Sequence, residues 1–257
     1  MDILKVIIEN TKNEIDKKKV LKPLEALLKT ENKERRDFKK IFKNWQIALI
    51  AEIKRSSPST GAIINGLDIE KIAFIYEKSG ADGISVVTNE KFFSGKNEDI
   101  QDVKKSTNLP VLRKDFIIDE YQIYESYGIY ADAILLIACI LSPAQLKEFV
   151  RLAHKLGMAT IVEVHTIDDL KKALNTDTEI IGINNRNLNN FEVDINISLN
   201  LIESVPERYY TVSESGIKKA EDVKRLKDAG FDGILVGTSI LKADDMAKKI
   251  KELKWID

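Results

Sequence analysis

From residue 46 onwards the sequence repeats one unit, a short apolar run, a loop and an amphipathic helix, and it does so eight times. The runs are apolar throughout, as in strands buried on both faces of a parallel sheet. Several of them end abruptly in charged residues. These observations predict an α/β fold in which eight parallel strands close into a (β/α)8 or TIM barrel, with residues 1–45 as an N-terminal helical extension and 46–257 as the barrel of a single domain. An open doubly wound sheet is the alternative. It asks for a Gly-rich fingerprint after its first strand, and Ser-Pro-Ser-Thr-Gly is not one.

In chain order, residues 2–19 place Ile3, Val6, Ile7 and Ile15 at helical spacing until Pro23 interrupts. The densely charged stretch 31–43 reads as a solvated helix or loop, tucked against the body by Phe38, Ile41, Phe42 and Trp45. Strands are predicted at 47–53, 83–87, 110–113, 133–137, 159–164, 180–183, 209–212 and 233–236. Helices are predicted at 69–79, 119–127, 143–156, 167–174 and 218–229. Gly80, Gly128, Gly157 and Gly230 close four of these in the left-handed conformation, and Pro143 after Ser142 suits a first helical turn. Gly-Ala-Asp-Gly at 80–83 and Ala-Gly-Phe-Asp-Gly at 229–233 are one helix-to-strand turn used twice.

Composition removes several classes of function. The 257 residues carry a formal net charge of -1, with Lys and Arg spread over the whole length, so no basic face marks a nucleic-acid or membrane partner. Cys139 is the only cysteine and lies in an apolar run, which excludes an internal disulfide and reads as a structural thiol in a reducing compartment. His154 and His165 lack the spacing of a metal set, so no metal is expected. Residues 1–10 lack the apolar core of a secretory leader, and a cytoplasmic protein is expected.

In a barrel of this kind reacting groups gather at the C-terminal strand ends. Those ends carry Glu52 and Lys54, Lys114, Glu163, Asn184 and Arg186, and Glu214. A lone charge after a strand is the start of a solvent loop. So many at one rim fit acid-base chemistry, with Lys54 and Arg186 expected to lower the pKa of Lys114. Ser215-Gly216 after the seventh strand and Gly237-Thr238 after the eighth offer backbone N-H groups to a phosphate, the second pair opening a short helix. The loop 56–61 is placed to wrap a substrate from the other side.

The segments AEIKRSSPSTG, LPVLRKDFIIDEYQIYES, ADAILLIACIL, VEVHT, GINNRNL, SESGI and ILVGTSIL, in this order and at these spacings, resemble the indole-3-glycerol phosphate synthase family over residues 45–241. The resemblance implies ring closure of 1-(2-carboxyphenylamino)-1-deoxyribulose 5-phosphate with loss of carbon dioxide and water, without cofactor or metal. It implies Lys114 as the general acid on the ketone oxygen, Lys54 as the partner of the substrate carboxylate, and Glu163 as the carboxylate assisting dehydration. Glu52, Asn184 and Glu214 match supporting polar positions, and Arg186 a residue that steers charge. Phe116, Leu135 and Leu235 match apolar positions beside the aromatic ring. Ser57, Ser215, Gly216, Gly237 and Thr238 match substrate- and phosphate-binding positions. A monomer, weakly associated with other enzymes of tryptophan biosynthesis, is the implied assembly. Ser56 departs from the lysine or alanine of many relatives, and Thr238 from a frequent serine.

Two rivals differ at named residues. A sugar-phosphate isomerase such as phosphoribosylanthranilate isomerase would want a Cys and Asp pair at the strand ends, where this chain has Lys and Glu. A barrel that only binds a phosphorylated metabolite would keep the phosphate loops without needing Lys114 and Glu163 together.

Overall fold

The computed structural model describes residues 3–28, 34–43, 46–58, 61–63, 67–188 and 191–255. Eight parallel strands close into a barrel: β1 Ala48–Ile53, β2 Gly83–Val87, β3 Val111–Lys114, β4 Ala133–Ile137, β5 Ala159–Val164, β6 Ile180–Asn184, β7 Tyr210–Glu214 and β8 Gly233–Val236. Each strand pairs with its sequence neighbour, and β1 pairs with β8 through Ala48 opposite Gly233.

Period-two alternation sorts every strand into two cores. Leu49, Ala51 and Ile53 point outward to the helices, whereas Ala48 and Ile50 meet Leu112, Leu135, Ile161, Val212 and Leu235 inside the barrel. Continuing the inward set by two residues per step leads from Ile50 to Glu52, from Leu112 to Lys114, from Ile161 to Glu163 and from Val212 to Glu214. The barrel interior is therefore apolar below and charged at its C-terminal end. Strands β3, β6 and β7 run further than predicted, so Lys114, Asn184 and Glu214 belong to strands rather than loops.

A side chain-to-backbone clamp recurs at the N-terminal ends of the strands. Asp82, Asp132 and Asp232 stand just before β2, β4 and β8. Their carboxylates accept the backbone N-H of Leu49 at 2.7 Å, Val111 at 2.8 Å and Thr211 at 2.8 Å. The shared turn leading into these strands needs a left-handed residue, which Gly80 and Gly230 supply with φ of 98° and 97°. Gly157 does the same at 77°. Gly128 does not: it stays helical, and Tyr130 takes the left-handed position at φ 66°, because the chain spends two more residues before Asp132.

The predicted helices appear as Ile69–Lys78, Glu120–Gly128, Pro143–Lys155, Ile167–Leu174 and Ala220–Asp228. Ser142 and Gln145 form a reciprocal capping box, and Asp68, Asp119 and Thr166 cap three others. The last predicted helix starts late because the Asp222 carboxylate accepts the N-H groups of Lys218 and Lys219, keeping 217–219 as loop. Between β2 and β3 the chain makes two short helices, Glu90–Phe93 and Glu98–Ser106, and a further helix, Met246–Lys254, follows β8.

The extension begins with helix Ile3–Leu21, tied to the barrel by Lys18 on Glu125 at 2.9 Å and Lys19 on Asp119 at 2.8 Å. In the charged stretch that follows, Glu34, Asp37, Lys40 and Lys43 are exposed as expected, but Arg35 and Arg36 are docked. Arg36 donates to the carbonyls of Leu109 and Lys104, and Arg35 lies over the Tyr127 ring at 4.0 Å. Phe38, Ile41 and Phe42 of the 3-10 turn Phe38–Lys43 then plug the N-terminal mouth of the barrel, Phe42 stacking on Tyr210 at 5.0 Å. Gly233 makes room for it: a β-carbon there would lie 2.9 Å from the Phe42 ring. Trp45 lies outside the described residues. Cys139 is exposed in the turn Ala138–Ile140, not a buried structural thiol, because β4 ends before its apolar run does.

Candidate active site

The C-terminal strand ends surround a cavity of about 690 Å³. Its wall contains Glu52, Lys54, Ser57, Lys114, Phe116, Leu135, Glu163, Asn184, Arg186, Ser215, Gly216, Leu235, Gly237 and Thr238. Glu214 is the one predicted site residue absent from the wall. It is fully buried behind Lys114, whose ammonium it accepts at 2.6 Å.

The charges at the strand ends are organised in pairs. Lys54 donates to Glu52 at 2.6 Å, the i, i+2 arrangement that places both on one face of β1. Lys114 bridges Glu214 and, at 3.5 Å, Glu163. The other oxygen of Glu163 lies 3.4 Å from His165 Nε2. Asn184, directly opposite Glu214 in the β6–β7 ladder, hydrogen-bonds Glu163 and accepts the backbone N-H of Arg186 at 3.0 Å. The Arg186 guanidinium is fixed on the Phe191 carbonyl at 3.1 Å.

These pairs set the ionisation states. Burial works to raise Glu52, but Lys54 and Lys114 outweigh it and hold the carboxyl below its ordinary value. Glu163 behaves likewise, burial being overcome by Lys114, His165 and Asn184. Glu214 goes the other way, to about 7, because burial and the neighbouring Glu163 exceed the help of Lys114. Lys114 is raised well above an ordinary lysine: burial acts downward, yet Glu214, Glu163 and Glu52 together prevail. This overturns the expectation that Lys54 and Arg186 lower it. Three carboxylates stand close to Lys114, and the other cations are themselves engaged.

Two glycines exist to admit these carboxylates. A β-carbon on Gly182 would collide with the Glu214 carboxylate, and one on Gly237 with that of Glu52. Gly237 thus has a second reason to be glycine besides its place before the short helix Thr238–Leu241. Ser215 and Gly216 are both left-handed, at φ 69° and 83°. Ser215 pays a conformational cost as a non-glycine residue, and Asn185 holds its carbonyl at 3.0 Å. The loop after β1 forms a small antiparallel pairing of Ser56–Ser57 with Gly61–Ala62, anchored by Arg55 on Asp99 at 2.8 Å and Ser56 on Ser94 at 3.0 Å.

Sequence reasoning missed several wall residues. Leu4 and Ile7 reach the cavity from the N-terminal helix, Phe93 packs 6.2 Å from Phe116, and Lys218 and Lys242 follow the two phosphate loops. Nothing local marks Leu4 or Ile7, since their role depends on where the extension docks. The lysines were visible as the next charged residues after SESGI and ILVGTSIL. Among the described residues no group of three His, Cys, Asp or Glu side chains is placed to hold a metal.

A family model described as indole-3-glycerol phosphate synthase matches residues 4–253. The chain belongs to the indole-3-glycerol phosphate synthase family. The indole-3-glycerol phosphate synthase of Caldanaerobacter subterraneus subsp. tengcongensis is 47% identical over 250 residues, covering 97% of this chain and 96% of that protein. That of Legionella pneumophila strain Paris is 44% identical over 252 residues, with 98% of both chains covered. Among solved structures, thiamine phosphate pyrophosphorylase from Pyrococcus furiosus superposes with a TM-score of 0.60 at 16% identity, over 82% of this chain and 94% of that one. At that identity the likeness concerns the barrel alone. No helix among the described residues is long and apolar enough to cross a membrane.

Proposed function

We infer that this member of the indole-3-glycerol phosphate synthase family closes the indole ring. It converts 1-(2-carboxyphenylamino)-1-deoxy-D-ribulose 5-phosphate to indole-3-glycerol phosphate with loss of carbon dioxide and water, a carboxy-lyase step of tryptophan biosynthesis. The observation that carries the assignment of roles is Lys114, held protonated between Glu214 and Glu163 at a cavity whose wall also contains Phe116, Leu135 and Leu235.

Attack by the carboxylate-bearing ring carbon builds negative charge on the ketone oxygen, and Lys114 is the proton donor aimed into that space. Lys54, on the same rim, pairs with the substrate carboxylate, with Glu52 holding it in place. Decarboxylation restores the aromatic ring. Loss of water then requires a base for the anilinic proton, and Glu163, held ionised by its neighbours, fills that role. Asn184 and Glu214 orient Glu163 and Lys114. Phe116, Leu135 and Leu235 are the apolar wall residues that receive the aromatic ring, while Arg186 and Ser57 close over it. Ser215, Gly216, Gly237 and Thr238 bind the phosphate.

The test is direct. Purified protein mixed with the substrate in the presence of chelator should produce a rise in indole fluorescence. Lys114→Ala should lower kcat by at least ~100-fold while substrate still binds, as expected for a group needed mainly in the transition state. Unchanged turnover in that variant would remove Lys114 from the acid role. The same reading makes the protein a one-domain cytoplasmic monomer, associating weakly at most with other enzymes of tryptophan biosynthesis. Sedimentation of the purified chain tests the monomer.

A further inference from the structure

Five cationic side chains line the cavity: Lys54, Lys114, Arg186, Lys218 and Lys242. Three have their charge engaged. Lys54 is on Glu52, Lys114 is on Glu214 and Glu163, and Arg186 is fixed on the Phe191 carbonyl and faces Glu52. Lys218 and Lys242 differ. Both side chains are exposed, and among the described residues neither ammonium makes an ion pair or hydrogen bond. The hydrogen bonds they do make are through the backbone, Lys218 N-H to Asp222 and Lys242 N-H to the Thr238 carbonyl.

Each of these lysines follows one phosphate loop, Lys218 after Ser215-Gly216 and Lys242 at the end of Thr238–Leu241. The loops are joined: Ser239 Oγ donates to the Ile217 carbonyl at 2.9 Å, and Lys249 Nζ to the Lys218 carbonyl at 3.3 Å. The two free charges are thus carried to one side of the mouth. Three acids close to them in the chain or in the cavity wall are occupied elsewhere, and Asp244, two residues from Lys242, is exposed and makes no ion pair with it. Asp222 accepts two backbone N-H groups of its own loop, Asp245 caps the terminal helix, and Asp194 accepts from the Asn196 backbone.

We propose that Lys218 and Lys242 form a cationic mouth that captures the substrate's phosphate dianion from solution and turns that end toward the β7 and β8 loops. The proposal rests on the phosphorylated substrate assigned above. A substrate carrying both a carboxylate and a phosphate approaches a cavity that holds Glu52 and Glu163, so an unneutralised pair of cations on one side fixes which end enters where. Exposed charges act over roughly 8 Å at physiological ionic strength, so the effect is strong in dilute buffer and fades with salt.

The experiment uses the full chain with Lys218→Glu and Lys242→Glu, and Lys147→Glu on the outer helix Pro143–Lys155 as a control of equal charge change. Steady-state kinetics are measured at low and high salt, and the affinity for inorganic phosphate is measured by direct titration. Each mouth reversal should raise KM about 10-fold at low salt with kcat held. The rise should collapse at high salt, and phosphate affinity should fall in parallel, while Lys147→Glu changes none of these. Unchanged KM and phosphate affinity in both reversals, or a fall in kcat alone, would overturn the mouth. If the wild-type protein fails to close the ring yet loses phosphate affinity in both reversals, the assigned reaction falls and the mouth stands.

Discussion

Lys114 holds its proton because Glu214 stands 2.6 Å away and Glu163 and Glu52 add to the same field. Glu214 titrates at about 7, so as the pH falls through that value its protonation removes one of the charges that hold Lys114 high. The sign follows. Glu214→Gln makes that loss permanent, lowers the pKa of Lys114, and moves the basic limb of the kcat/KM profile to lower pH while removing the inflection near 7. A pH-rate comparison of the two proteins checks both shifts. A profile unaltered by the substitution would mean that Lys114 does not feel Glu214. Sequence could place these residues on one rim, since each lies two positions beyond an inward apolar residue. It could not rank their separations, and the direction of the Lys114 shift depends on that ranking.

At the scale of the element, the Asp before β2, β4 and β8 joins the start of one strand to the start of the strand before it. Asp232→Ala leaves the buried Thr211 N-H without its acceptor and should lower stability by about 1–3 kcal/mol. Denaturant unfolding measures it. Gly182→Ala tests a different constraint, for its β-carbon meets the Glu214 carboxylate and lies 2.9 Å from Ile161. Overpacking of this kind should cost about 1–3 kcal/mol and, by displacing Glu214 from Lys114, lower kcat as well. The repeated Gly-Asp turn was legible because its residues recur at 80–83 and 229–233. The version at Tyr130 was not, since a tyrosine carries no sign of left-handed backbone and the more obvious Gly128 lies two residues too early. In residues 34–43 the docking of Phe38, Ile41 and Phe42 was legible, but the place of Arg35 and Arg36 was not, for a related reason. Their charges suggested water, whereas Arg36 finds its partners among carbonyls distant in sequence.

For the molecule as a whole, the barrel separates chemistry from support. Reactive charge fills the C-terminal end, and Phe38, Ile41 and Phe42 seal the other. Phe42→Ala should therefore cost about 3–5 kcal/mol of stability with kcat retained, a result that thermal unfolding and a kinetic assay would separate. A large loss of kcat in a folded variant would show the two ends to be linked. The seal also brings together distant times in the life of the chain. Phe42 leaves the ribosome well before its neighbours Tyr210 and Gly233 have been made. Lys254, which is buried against Asp82 at 2.7 Å and the Ile47 carbonyl at 3.0 Å, comes later still. The nascent polypeptide must thus carry its plug uncovered until the last two strands have been made, and closure of the barrel and covering of the plug become one event.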